Sequence, residues 1–165
     1  MDQIKNCPCK SPKGKHPDAA KHEDQPTIAK RVISTPNAPR AVGPYNQAIV
    51  FGDTVYVSGC LGLNKDTMKL VEGGAVAEAK QALISLGHIL EAAGSSYANV
   101  LKTTIYLDNI ADFHAINEVY KEFFHQHYPA RSCFQVGKLP VGAKFEIDAI
   151  AGRKSEDKSP DNVEL

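Results

Sequence analysis

The sequence predicts an α+β fold: a single domain in which two helices cover one face of a mixed β-sheet. Three observations carry this expectation. Hydrophobic spacing switches repeatedly between the two-residue period of strands and the roughly 3.6-residue period of helices. The elements so defined run ββ-α-β-α-ββ, strands in groups flanking helices, which suits helices layered on a sheet. A chain of 165 residues with 42% apolar content is long enough for one core and short for two.

The elements follow in order. A short leading strand at residues 31–34 is an optional first element. Ile49-Val50-Phe51, a Gly52-Asp53 turn and the run from Thr54 to Gly59 read as a β-hairpin. From Gly74 to Ala93, Val76, Ala79, Ala82, Leu83, Leu86, Ile89, Leu90 and Ala93 recur at helical steps, closed by Gly94. Residues 100–107 are β-rich and stop at Asp108-Asn109, either of which suits the N-cap of a second helix. Ile110, Phe113, Ile116, Tyr120, Phe123 and Phe124 form that helix's apolar stripe, and Pro129 limits it. Strands at residues 131–136 and 145–151, separated by the Leu139-Pro140-Val141-Gly142 turn, complete the domain. On the last strand Phe145, Ile147 and Ala149 face one way and Glu146, Asp148 and Ile150 the other, so neither face is purely aqueous. Such a sheet is suited to completion by oligomerisation.

Outside this unit the composition changes. Residues 1–29 and 154–165 are polar, with few large apolar side chains, and are expected to be disordered tails around a domain at residues 30–153. Nineteen basic residues balance nineteen acidic ones, so no global field favours nucleic acid or anionic lipid, and any anion site must be local. No run approaches the roughly 20 apolar residues of a membrane span, and the first segment lacks the apolar stretch of a secretory signal. An intracellular, cytoplasmic protein is expected, with mitochondrion and nucleus left open. Cys7, Cys9, Cys60 and Cys133 are few and irregularly spaced, which suits free thiols in a reducing compartment. Neither Cys7-Pro8-Cys9 nor His125-Gln126-His127 has the context of a metal site, and no phosphate-loop or nucleophile-elbow pattern is present. No metal or cofactor is expected.

Several residues have both a structural and a chemical reading. Gly43-Pro44-Tyr45 is a turn, or else it holds the Tyr45 hydroxyl over a pocket. Ser58-Gly59 marks a bulge or tight exit, or a place where backbone approaches a ligand. Arg131 opens an apolar strand, where it forms a salt bridge, for instance to Glu146 or Asp148, or grips a carboxylate through paired hydrogen bonds. Cys133 shares its strand face and reads by default as a buried thiol, with no neighbouring His to make it a nucleophile. Glu146 and Asp148 share a face within an apolar run, where carboxylates either acquire proton-transfer roles or simply charge an edge.

Taken together, Gly43-Pro44-Tyr45, Tyr56-Val57-Ser58-Gly59, Lys102-Thr103-Thr104, Ile116-Asn117-Glu118-Val119-Tyr120, Pro129-Ala130-Arg131-Ser132-Cys133 and Glu146-Ile147-Asp148-Ala149 resemble the motifs of the reactive-intermediate deaminases, the RidA or YjgF/UK114 family. The resemblance spans residues 31–153. It implies a chorismate-mutase-like fold, a homotrimer with sheets around a central barrel, and active sites between subunits. It also implies metal-free hydrolysis of small 2-imino or enamine acids, such as 2-iminopropanoate and 2-iminobutanoate, to 2-oxo acids and ammonia. By this resemblance Arg131 takes the substrate carboxylate and Glu146 positions water, both with Tyr45 in the catalytic group. Ser58, Gly59, Asn117 and Cys133 then form the pocket wall and backbone contacts. Cys60 stands where many relatives carry Gln and is expected to influence selectivity. Two other readings stay open: an RNA-acting translation inhibitor or endoribonuclease, and a non-catalytic binding or chaperone-like protein using the same clefts.

Overall fold

The computed structural model describes residues 29–153; the tails expected at 1–29 and 154–165 lie, apart from Ala29, outside the described residues. In chain order the elements are β1 (Lys30–Ile33), β2 (Ala48–Phe51), β3 (Thr54–Leu61), α1 (Gly74–Ala92), β4 (Val100–Leu107), α2 (Phe113–Lys121), β5 (Ala130–Gln135) and β6 (Phe145–Gly152). The strands make one sheet in the order β1-β2-β3-β6-β4-β5. Every pairing is antiparallel except β4 with β5, which α2 bridges in the manner parallel strands require. The sheet is therefore mixed, as expected, and both helices lie on one side of it.

Alternation sets the core. Phe145, Ile147, Ala149 and Ala151 on β6 are all buried, as are Ile105 and Leu107 on β4, and they meet Leu83, Leu86 and Leu90 of α1. The helix is terminated as its Gly94 predicts: Gly94 has φ 78°, and the Ser95 amide donates back to the Leu90 carbonyl at 2.8 Å. Buried Thr103 and Tyr120 satisfy each other's hydroxyls at 2.9 Å, tying β4 to α2.

Several expectations need correction. Val76 is exposed rather than part of the α1 stripe, and Glu78 and Ser85 are buried instead. Apolar spacing overlooked Glu78 because its carboxylate accepts the Lys144 amide at 2.7 Å, a bond between helix and β6 approach that only the fold creates. Ile110 is likewise exposed: residues Ile110–Asp112 form a separate 3-10 turn, capped by Asn109, whose side chain accepts from the Ala111 amide. α2 is correspondingly shorter than expected, ending at Lys121 well before Pro129. The second hairpin strand does not stop at Gly59 but runs on to Leu61 through a bulge.

Close packing of α1 against the end of β3 depends on Gly62. A Cβ there would fall 2.6 Å from Glu78 Cβ and closer still to the helix backbone, which cannot move aside. Gly62→Ala is expected to lower the unfolding free energy by about 1–3 kcal/mol. Gly137→Ala, where a Cβ meets nothing within 4 Å, should be close to neutral, and urea denaturation of both variants compares them.

Candidate active site

The bulge is the centre of the site. Val57 pairs with Ala149 and Cys60 with Ile147, so Ser58 and Gly59 together oppose Asp148 alone. A two-against-one bulge re-aims the chain locally. Gly59 thereby lies beneath the Glu146 side chain: a Cβ on residue 59 would sit 2.9 Å from Glu146 Cδ and would collide with Oε1. Only glycine leaves the carboxylate its place. Ser58 is held by its own bonds, its amide donating to the Gln47 carbonyl at 3.0 Å and its hydroxyl to the Asn46 carbonyl at 2.7 Å.

Glu146 is half-buried and has no hydrogen bond or ion pair among the described residues. Burial, and then the neighbouring Asp148, push its carboxyl above the ordinary range. Asp148 is better provided for, because the Tyr106 hydroxyl donates to its Oδ2 at 2.8 Å. Burial first, with Glu146 and Asp148 adding to it, pushes the Cys60 thiol up to about 12, which makes it a neutral donor to the Ser58 carbonyl rather than a nucleophile.

Tyr45 overlooks the same cavity of about 700 Å³, which also takes in Ser58, Gly59, Cys60, Glu146 and Asp148. Its Oη accepts from the Val42 amide at 3.4 Å and keeps its proton to donate. The loop that carries it is tied down by buried Gln47, whose amide nitrogen donates to the carbonyls of Thr35, Ala38 and Pro39 and whose oxygen accepts from the Thr35 amide.

Arg131 and Asn117 lie elsewhere. They line a second cavity, also about 700 Å³, together with His114, Tyr120, Tyr128 and Pro129. The Arg131 guanidinium stacks over Tyr120 at 4.8 Å from the ring centroid and near Phe113 at 5.6 Å. It makes no salt bridge to Glu146, Asp148 or any other described acid, so its donors face the cavity unclaimed. Cys133 shares its strand, packs against the core and lines neither cavity; burial pushes its thiol up while Arg131 opposes the shift.

Register explains the separation. Arg131 pairs with Thr103, and Thr103 with Ala149, so Arg131 belongs to the helix-covered face. Glu146, three residues before Ala149, points to the opposite face. Within one chain the sheet itself lies between the cation and the carboxylate.

Sequence reasoning missed Gln47 and Tyr106. Nothing local marks either, since the first acts across a loop and the second across a strand pair. Among the described residues no group of three or more His, Cys, Asp or Glu is arranged to hold a metal ion.

A sequence profile of the family described as Endoribonuclease L-PSP matches residues 35–152. The chain is 56% identical over 125 residues to the Drosophila melanogaster RutC family protein UK114, covering 76% of this chain and 91% of the relative. It is 48% identical, with the same coverage, to the Homo sapiens 2-iminobutanoate/2-iminopropanoate deaminase. This chain belongs to the reactive-intermediate deaminase family. Among solved structures of that family, E. coli TdcF with bound serine superposes with TM-score 0.71 at 39% identity, covering 75% of this chain and 99% of that one.

The environment of Glu146 has a consequence for stability in this family member. A carboxyl raised above its ordinary value of 4.5 binds its proton more tightly in the native than in the unfolded state, so stability falls as pH rises through the native value. Glu146→Gln should therefore be more stable than wild type at neutral pH. The gain should fade as pH falls through the native value and vanish below 4.5, as urea melts across this range would record. A variant no more stable at neutral pH would contradict the burial argument.

Proposed function

We propose that the chain hydrolyses small 2-imino acids, with 2-iminopropanoate and 2-iminobutanoate as substrates, in a homotrimer whose active sites lie between copies. The observation that carries this reading is the arrangement of unclaimed groups: a guanidinium without an acid on one sheet face, a carboxylate without a cation on the other. Docking the α2–β5 edge of one copy over the helix-free face of the next sets the two on either side of a shared cleft, the guanidinium toward the substrate carboxylate and Glu146 toward the imine carbon. That face exposes Tyr56 and Phe134, large side chains that such docking covers.

The chemistry then follows from the residues. Arg131 holds the substrate carboxylate through parallel hydrogen bonds, its plane fixed by the Tyr120 ring. The protonated imine carbon is already electrophilic. Glu146 takes a proton as water adds to that carbon, giving a carbinolamine, and returns it to nitrogen; as the C–N bond breaks, the hydroxyl becomes the carbonyl and its proton leaves with the ammonia as ammonium. Imino acid plus water becomes 2-oxo acid plus ammonia. Tyr45 donates to a substrate oxygen, and Ser58, Gly59 and Asn117 shape the wall. A carboxyl raised toward neutrality suits both halves of the proton transfer.

An RNA-acting role, named in the family description, has less support: formal net charge is zero, so no global basic field draws in a phosphate backbone. The buried or half-buried free thiols of Cys60 and Cys133 suit the cytoplasm. No described helix is long and apolar enough to cross a membrane.

In an assay where a serine or threonine dehydratase supplies the imine, Glu146→Ala should lower kcat by roughly 10²–10⁴-fold with little change in KM. Arg131→Ala should raise KM and lower kcat/KM by roughly 100-fold or more, and Arg131→Lys should recover little of it, because an ammonium cannot grip a carboxylate in parallel. Normal turnover by either alanine variant would remove that residue from the site.

A further inference from the structure

Two loops border the Glu146 cavity, and each presents an apolar side chain that the fold leaves uncovered. Val42, in the loop that carries Tyr45, is 72% exposed, and Val141, in the turn before β6, is 71% exposed. No other large apolar side chain among the described residues is as open, and both of these line the cavity. Exposed apolar residues scattered singly are ordinary on a protein surface, whereas two that line one cavity mark it as a place for apolar contact.

Val141 is also costly to hold. With φ 54° and ψ 17° it lies in the left-handed region, where a branched Cβ crowds the backbone. Glycine or asparagine would make the same turn with less strain. The turn is seated by its other residues: Leu139 and Ala143 are buried on either side of Val141, and the Lys144 amide is held by Glu78. Within it the Gly142 amide donates to the Leu139 carbonyl at 3.3 Å and the Ala143 amide to the Pro140 carbonyl at 3.1 Å. A strained side chain that buries little in the fold and lines the candidate site owes its place to the site.

We infer that Val141 is a specificity-determining residue, an apolar wall for the substrate side chain that favours 2-imino acids at least one carbon longer than 2-iminopropanoate. This inference rests on the hydrolase reading. The imine carbon carries three groups. Arg131 takes the carboxylate and Glu146 serves the nitrogen and the incoming water, so the side chain is the group still in need of a partner. Val141 stands in the turn that leads into β6, at the end of the strand where Glu146 lies. Val42 adds a second apolar contact from the Tyr45 loop. The ethyl group of 2-iminobutanoate reaches one methylene further than the methyl group of 2-iminopropanoate, and a methylene moved from water onto an apolar wall is worth roughly fourfold in affinity.

The test compares full-length wild type with variants at residue 141, a serine dehydratase supplying 2-iminopropanoate and a threonine dehydratase supplying 2-iminobutanoate. Val141→Asn should reduce the kcat/KM ratio of the longer acid to the shorter by roughly threefold. Its urea midpoint should stay at or above that of wild type, because asparagine accepts left-handed backbone. Val141→Ile, apolar and branched like valine, should keep the ratio. A residue that only shaped the turn would change both acids alike, so a ratio unmoved by Val141→Asn would overturn the inference. If the mass of the assembly fell as well, Val141 would be a contact between copies instead. Binding of pyruvate and 2-oxobutanoate, followed by amide shifts, makes the same comparison without turnover. A wild type that accelerates neither imine would therefore count against the hydrolase reading, and the two affinities would still decide the role of Val141.

Discussion

A β-strand offers each side chain only one of two faces, and in β6 that constraint divides the protein's labour. Phe145, Ile147, Ala149 and Ala151 go into the core with α1, while Glu146 and Asp148 go to the face that no helix covers. Burying the first set fixes the second, since a slip of one residue would place both carboxylates in the hydrophobic core. The same register, carried through Thr103, assigns Arg131 to the helix side. What keeps the core intact also keeps the cation and the carboxylate apart within one chain.

Around this frame the local details serve the carboxylate. The Ser58-Gly59 bulge opens the strand at the residue facing Asp148, and the missing side chain of Gly59 gives Glu146 its resting place. Gln47 binds the loop that brings Tyr45 to the cavity. Burial and the neighbouring Asp148 both disfavour the ionised form of Glu146 there.

Much of the fold was legible because it rests on local periodicity. The α1 stripe from Ala79 to Ala93, the span of β4 and the alternation of β6 all follow from spacing alone. Glu78 was not, because a buried carboxylate looks like a surface residue until the Lys144 amide that it caps is known. The candidate site shows the same boundary. Strand parity paired Glu146 with Asp148 and Arg131 with Cys133, but whether those pairs share a face depends on the register across β4, which sequence spacing does not contain. Tyr106 was invisible for that reason too, and the roles of Arg131 and Glu146 came from family resemblance.

Subunit mixing tests most directly whether active sites are shared between copies. Arg131→Ala and Glu146→Ala chains, each inactive alone, are unfolded together in equal amounts, refolded, and assayed for imine hydrolysis. If each site takes Arg131 from one copy and Glu146 from the next, random assembly restores both groups at about one site in four, and activity should return to roughly a quarter of wild type. Mixed assemblies, verified by mass, that stay as inactive as either parent would contradict the shared site.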